Sequence, residues 1–121
     1  ATGDMSYLNQ AKATADGAYN YFVKSRNGLA LCYPTNDPWF TIQLVKAFIE
    51  LEPEYPACRT YIDVFITNLE YAWEHGRMDN GLFHEDWTGK NVNPDRDRSL
   101  LMQAAALESL ATAALYKGER K

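Results

Sequence analysis

The sequence predicts an all-α fold built from antiparallel helical hairpins. Apolar residues recur at steps of three and four in four segments, and residues that start or stop helices flank each segment. No segment alternates apolar and polar residues clearly enough to predict a strand. Of the 121 residues, 46% are hydrophobic and 23% are charged, which is typical of one globular unit. We therefore expect residues 1–121 to form a single all-helical unit.

The first predicted helix starts where Asp4 or Ser6 can cap it, and Gly28 is the expected stop signal. Its apolar residues fall on one face at helical spacing, and they are Leu8, Ala11, Ala15, Ala18 and Phe22. We expect this face to be buried.

The second predicted helix begins at Asp37-Pro38, because an acid can cap the first turn and proline suits the first helical position. Pro53 ends it. Its buried face would contain either Phe40 or Ile42. The other apolar members of this face are Leu44, Val45, Phe48, Ile49 and Leu51.

The third predicted helix begins near Arg59 and stops at Gly76, and the fourth begins near Arg98 or Ser99 and closes at Gly118. The apolar face of the third consists of Ile62, Phe65, Leu69, Ala72 and Trp73. The apolar face of the fourth consists of Leu100, Ala104, Leu107, Ala111 and Ala114. Alanine favours helix and leaves little bulk, so the fourth helix should pack closely against its neighbours.

Charge and hydropathy exclude several classes of partner. The formal net charge of -4 and the lack of a basic stripe argue against nucleic acid, which is held by clustered Lys and Arg. No apolar run approaches the ~18 residues of a membrane span. Cys32 and Cys58 are too few for a disulfide framework, and two thiols are favoured over one bridge. Consecutive residues such as His84–Asp86 point in different directions in an extended loop, so no metal or other cofactor is expected.

Two connections are long for a compact helical bundle, with about eleven residues before the second helix and about twenty before the fourth. Residues Leu29–Tyr33 in the first connection can pair only briefly as a strand, because Pro34 follows. Arg26–Leu29 resembles Asp79–Leu82, and each is followed by an acid and a tryptophan. Both connections follow odd-numbered helices, so in an array of alternating helices they should lie at the same end of the molecule. The alternative is that Asn-Gly is simply a common helix exit.

The acids and aromatic residues of these connections suggest a carbohydrate site, because sugars offer hydroxyls to carboxylates and a C–H face to aromatic rings. The candidate walls are Trp39, Phe40, Phe83 and Trp87, and the candidate polar partners are Asp37, Glu85 and Asp86. In the alternative interpretation Trp87 fills the core and Asp37 only caps a helix.

Several strings together resemble the C-terminal third of glycoside hydrolase family 76, the α-1,6-mannanases. They are Asn36–Phe40, Tyr61–Asp63, Asn68–His75, Asn80–Phe83, Asp86–Gly89 and Leu101–Ala106. Each string alone is weak, and the resemblance rests on their order and spacing.

The resemblance implies that the chain is the C-terminal portion of an (α/α)₆ toroid, in a retaining endo-α-1,6-mannanase that is secreted, periplasmic or at the cell surface. The family's catalytic feature is a tandem pair of aspartates, one acting as nucleophile and one as acid/base. No Asp-Asp dipeptide occurs in these 121 residues. The chain is therefore expected to supply part of the sugar cleft and no catalytic residue.

Position by position, the resemblance places Asp37 at the start of an inner helix, where it would bond a mannose hydroxyl. Trp39 and Phe40 match positions near the cleft floor, and Trp87 matches the tryptophan of a Trp-Ser-Gly signature. Gln103 matches a polar position on the last inner helix. The predicted substrate-binding residues, with the loop acid included, are thus Asp37, Trp39, Phe40, Asp86, Trp87 and Gln103. The expected partners are α-mannan and either the remainder of the toroid or a second copy. The alternative is a non-catalytic mannan-binding or structural helical domain.

Overall fold

A computed structural model describes residues 5–26, 28–34, 38–77, 81–83, 87–88 and 100–119. The fold is mainly helical, as predicted. In chain order the elements are α1 (Met5–Phe22), β1 (Lys24–Arg26), β2 (Leu29–Cys32), α2 (Pro38–Leu51), α3 (Cys58–His75) and α4 (Leu100–Glu119). No helix in these ranges is both long and apolar enough to cross a membrane.

The prediction of an all-α fold is wrong in one respect, because β1 and β2 form a two-stranded antiparallel sheet. Helix α1 ends at Phe22, several residues before the expected stop at Gly28. Gly28 instead has a φ of 93° and lies in the turn between the strands. That conformation costs glycine little, and it lets the chain reverse within a few residues. The strands are too short for an alternating pattern to show.

The four helices alternate in direction. Helices α1 and α2 are antiparallel, since Ala11 shares a groove with Leu51 while Phe22 shares a cavity with Phe40. Helices α2 and α4 are parallel neighbours. Lys46 pairs with Glu108 at 3.2 Å, and further along both helices the hydroxyl of Tyr116 donates to Glu52.

Helices α3 and α4 are antiparallel. Gln103, near the start of α4, bonds the backbone of Phe83, and the Phe83 ring lies 6.4 Å from that of Trp73 near the end of α3. Helical hairpins in antiparallel order, as predicted from the sequence, therefore describe the arrangement.

The core lies where α2, α3 and α4 meet. Its largest fully buried apolar side chains include Phe48, Phe65, Ile42, Ile62 and Val45. Of the two alternatives for α2, Ile42 is buried, and Phe40 is exposed. Cys32 and Cys58 are both buried and form no disulfide, which confirms the preference for two thiols.

The predicted face of α4 is wrong. Its members Leu100, Ala104, Leu107, Ala111 and Ala114 are all exposed. Among the described side chains of α4, the buried ones are instead Ala105, Ala106, Ser109 and Tyr116. Helix α4 carries apolar residues on every side, so the spacing of its apolar residues does not identify the face that is buried. The small side chains on the buried side let α4 approach α2 and α3 closely.

Two other helices bury less of their predicted faces than expected. On α1 only Ala15 is buried, whereas Ala11 and Phe22 are exposed. On α3, Trp73 is exposed and stacks under Arg77, whose guanidinium lies 3.7 Å from the ring centroid. In both helices the stripe of apolar residues is wider than the surface that their neighbours cover.

Helices α1 and α3 have the same length of 18 residues, and both ends are offset by 53 positions, Met5 to Cys58 and Phe22 to His75. The glycines Gly28 and Gly81, with φ of 93° and 90°, share this offset. The likeness between the two Asn-Gly segments therefore extends to the helices before them, whereas α2 and α4 differ in length, with 14 and 20 residues.

Candidate functional site

The two long connections lie at the same end of the molecule, as the sequence predicted. Leu29 and Pro34 of the first connection line one small cavity together with Trp87 and Thr88 of the second. Arg77 and Phe83 form an isolated antiparallel bridge around Gly81, which parallels the β1–β2 hairpin around Gly28. The ends of α1 and α3 and the starts of α2 and α4 thus share one rim.

At this rim, the end of α1 and the start of α2 enclose an open cavity of about 420 Å³. Its lining residues are mainly apolar, and they are Phe22, Tyr33, Pro34, Phe40, Thr41 and Leu44. Phe40 is 67% exposed, so most of its ring is available to a ligand. The volume falls within the range of about 300–1,000 Å³ that small-molecule sites occupy.

The structure brings one of the six predicted site residues, Phe40, to this cavity. Trp39 is half-buried and is not one of the lining residues. Asp37 and Asp86 lie outside the described residues. Sequence reasoning missed Phe22 and Tyr33, because Phe22 fits the core stripe of α1 and Tyr33 lies in a segment without periodicity.

Trp87 lies in the core, as the alternative interpretation proposed. It is only 7% exposed, and its ring centroid lies 5.9 Å from that of Phe83 and 6.1 Å from that of Phe65. Its carbonyl oxygen also lies so close to Gly76 that a Cβ at that position would approach it to 2.6 Å. Trp87 therefore anchors the second connection onto α3, with little surface left for a sugar.

Gln103 holds the second connection through both ends of its amide. The backbone N–H of Phe83 donates to Oε1 at 2.9 Å, and Nε2 donates to the carbonyl of Phe83 at 2.8 Å. The amide of Gln103 therefore makes the two hydrogen bonds that the backbone of a neighbouring strand would make. The structure thus gives the amide of Gln103 a role in the fold, in contrast to the predicted contact with sugar.

Asn68 on α3 holds the first connection in the same way. The N–H of Tyr33 donates to Oδ1 at 2.9 Å, and Nδ2 donates to the carbonyl of Leu31 at 3.0 Å. The hydroxyl of Tyr33 also donates to the carbonyl of Tyr61 at 2.8 Å. These bonds fix Tyr33, one wall of the cavity, relative to α3.

A cluster of phenols around Asp16 joins α1 to α3. The hydroxyls of Tyr61 and Tyr55 donate to the Asp16 carboxylate at 2.5 Å and 2.8 Å, and Tyr19 stacks on Tyr61 with centroids 4.1 Å apart. Hydrogen bonds from Tyr61 and Tyr55 lower the pKa of Asp16 below its ordinary value. Burial, followed by the bond to Asp16, raises the pKa of Tyr61 above its ordinary value.

The described lining of the cavity offers aromatic contacts. Aromatic faces can contact the C–H groups of a sugar, but no lining residue named above carries a carboxyl, imidazole or thiol group. Over the described ranges, no group of three His, Cys, Asp or Glu side chains is placed to hold a metal ion. His84, Glu85 and Asp86 lie outside those ranges.

Comparisons with protein-family profiles, with curated proteins and with solved structures find no match to this chain. The resemblance to glycoside hydrolase family 76 therefore stays a prediction from the sequence.

Proposed function

We propose that this chain supplies part of the sugar cleft of a glycoside hydrolase that acts on α-1,6-linked mannan, with the catalytic aspartate pair provided outside these 121 residues. The observation that supports this proposal is the aromatic cavity at the loop rim, with the exposed ring of Phe40 at its mouth. An exposed aromatic beside an open apolar cavity is the surface to which the C–H face of a hexose binds.

The larger architecture belongs to the same proposal. Three features are compatible with two successive helical pairs of an (α/α)₆ toroid: α2 and α4 are parallel neighbours, α1 and α3 run antiparallel to them, and α1 and α3 are offset by 53 residues. In that architecture the connections at one rim would line the cleft. Export from the cytoplasm would follow, since mannan is an extracellular polymer.

Binding tests the cavity directly. The 121-residue chain is titrated with α-1,6-linked mannooligosaccharides by calorimetry. Phe40→Ala should raise the dissociation constant about tenfold, which corresponds to a loss of about 1.4 kcal/mol of binding free energy from the aromatic contact. Tyr7→Ala is the matched control, because Tyr7 is also an exposed aromatic but lies at the opposite end of α1. The proposal fails if the parent chain does not bind, or if both variants lose affinity equally.

The alternative is a mannan-binding domain without catalysis, and it is favoured by the observation that none of the described lining residues is an acid. The two functions differ in product. The complete natural polypeptide should release reducing ends from α-1,6-mannan if it is a hydrolase, whereas binding without release would support the alternative.

A further inference from the structure

Helices α1 and α2 carry different walls of the aromatic cavity, but they pack loosely against each other. Phe22 comes from the end of α1, whereas Phe40 and Thr41 come from the start of α2. Farther from the rim, an open groove of about 460 Å³ lies between the two helices. Along Met5–Phe22, Ala15 is the one buried residue. The width of the cavity therefore depends in large part on contacts other than direct packing of α1 on α2.

Asp16 supplies such contacts from the second half of α1. Its carboxylate accepts hydrogen bonds from the hydroxyl of Tyr55 at 2.8 Å and from that of Tyr61 at 2.5 Å. Tyr55 lies in the turn after α2, where its backbone N–H donates to the carbonyl of Leu51, and Tyr61 belongs to α3. Hydrogen bonds to an ionised carboxylate are roughly twice as strong as those between neutral groups. One carboxylate thus connects α1 both to the end of α2 and to α3.

Aromatic rings continue from Asp16 to the cavity. Tyr19 lies one turn after Asp16 on α1, and its ring stacks on that of Tyr61 with centroids 4.1 Å apart. The same ring meets that of Tyr33 edge-on, with centroids 6.3 Å apart and an interplanar angle of 71°. The hydroxyl of Tyr33 donates to the carbonyl of Tyr61 at 2.8 Å. Tyr19 and Tyr61 therefore both contact Tyr33, which is one wall of the cavity.

We propose that Asp16 is a positioning residue for sugar binding, which holds Phe22 and Tyr33 at the separation that the ligand requires. Asp16 is not one of the lining residues, so it acts through the tyrosines and touches no sugar itself. Without its carboxylate α1 still forms, but it is displaced from α2 and α3 for part of the time. A site that is competent for only part of the time loses affinity by that fraction. The inference rests on the proposed function, because it concerns the same sugar site.

Calorimetry on variants of Asp16 tests this role. Asp16→Ala removes both acceptor oxygens, and it should raise the dissociation constant for α-1,6-linked mannooligosaccharides about fivefold, as for a site that is competent about one fifth of the time. Asp16→Asn is the conservative variant. Its amide oxygen can accept from one phenol and its nitrogen can donate to the other, so it should bind more tightly than Asp16→Ala.

Gln10→Ala is the matched control on the same helix. Gln10 is exposed, and its side-chain amide donates to Ser6 within α1 at 3.4 Å. This variant should therefore bind sugar like the parent. Equal losses of affinity in Asp16→Ala and Gln10→Ala would overturn the proposal, and so would an Asp16→Ala variant with the affinity of the parent. The second result would leave the proposed function standing, because the parent would still bind.

A double-mutant cycle separates positioning from a general loss of stability. Tyr61→Phe keeps the ring that stacks on Tyr19 and removes the hydroxyl that bonds Asp16. If Asp16 acts through this hydroxyl, the double variant should lose less affinity than the two single losses combined. Losses of binding free energy that simply add would overturn the route through Tyr61.

Hydrogen exchange tests the same role without sugar. The amides of residues 19–23 should exchange faster in Asp16→Ala than in the parent, because a less firmly held α1 opens more often, whereas those of α2 should be unchanged. Equal exchange in the two proteins would overturn the proposal. A parent chain that binds no sugar would instead contradict the proposed function, and the exchange rates would then decide whether Asp16 fixes the walls of the cavity.

Discussion

Asn68 and Gln103 hold the two long connections by the same device, a side-chain amide that bonds both an N–H and a C=O of an extended segment. The surroundings differ. Asn68 is buried, and its segment belongs to a two-stranded sheet with a further bond from Tyr33 to Tyr61. Gln103 is half-buried, and its segment makes a single bridge.

The difference shows that the two connections are fixed to the helices in two different ways. The first connection depends on hydrogen bonds, and the second depends mostly on the packing of Phe83 and Trp87 against α3. The cavity lies beside the first connection, where Tyr33 is fixed by directional bonds. The substitutions below test this contrast and the contacts around it.

The largest effect is expected for Trp87→Ala. Removing a buried indole should lower the free energy of unfolding by about 4 kcal/mol, because it leaves a cavity beside Phe65 and Phe83. Urea denaturation measures the change. A loss below about 1 kcal/mol would show that packing does not hold the second connection.

Asn68→Ala should have the next largest effect and lower the free energy of unfolding by about 3 kcal/mol. It leaves the buried N–H of Tyr33 and the carbonyl of Leu31 without their partner. Thr67→Ala is the control on the adjacent exposed position, and it should change stability by no more than about 0.5 kcal/mol. Equal losses in the two variants would contradict the role of Asn68.

Gly76→Ala should cost about 2 kcal/mol, because its Cβ would meet the backbone oxygen of Trp87 at 2.6 Å and that of Ala72 at 3.0 Å. Gly17→Ala is the opposite case. Nothing lies within 4 Å of the added carbon, and alanine favours the helix, so the variant should be more stable by about 0.5–1 kcal/mol. Paired melting curves should therefore shift in opposite directions.

Gln103→Glu should lower the free energy of unfolding by about 1 kcal/mol at neutral pH, because a carboxylate accepts from Phe83 N–H but cannot donate to its carbonyl. Protonation restores a donor, so the deficit relative to the parent should shrink as the pH falls below the carboxyl pKa. A deficit that is independent of pH would argue against the second of the two bonds.

The smallest effect is expected for Asp16→Asn, and it depends on pH. The pKa of Asp16 is lowered on folding, so its contribution to stability is fully present above the unfolded value near 3.8 and is lost as the pH falls through the lower, folded value. The parent should exceed the variant in stability at neutral pH, and the difference should vanish in strong acid. A constant difference from neutral to strongly acidic pH would show that the phenol bonds do not favour the ionised carboxylate.

The sequence predicts the backbone best where a single residue fixes φ. Pro38 marks the start of α2 and Gly76 follows the end of α3, whereas α1 ends before Gly28 and α4 continues through Gly118. The shared rim was predicted because both connections follow odd-numbered helices. The start at Pro38 could be predicted because the fixed φ of proline acts locally, whereas glycine permits a helix to end without requiring it. The helices and their antiparallel order follow from the same local signals.

Only the tertiary structure decided which surfaces are covered. Helix α4 has apolar residues on every side, so the choice between Ala105 and Leu107 for the core depends on the shape of α2 and α3. The same holds at the rim, where Trp87 fills the core, Phe40 faces the cavity, and Gln103 bonds the backbone of Phe83. A sequence shows which side chains are able to pack, stack or bond, but which of these they do depends on neighbours that are distant in the chain.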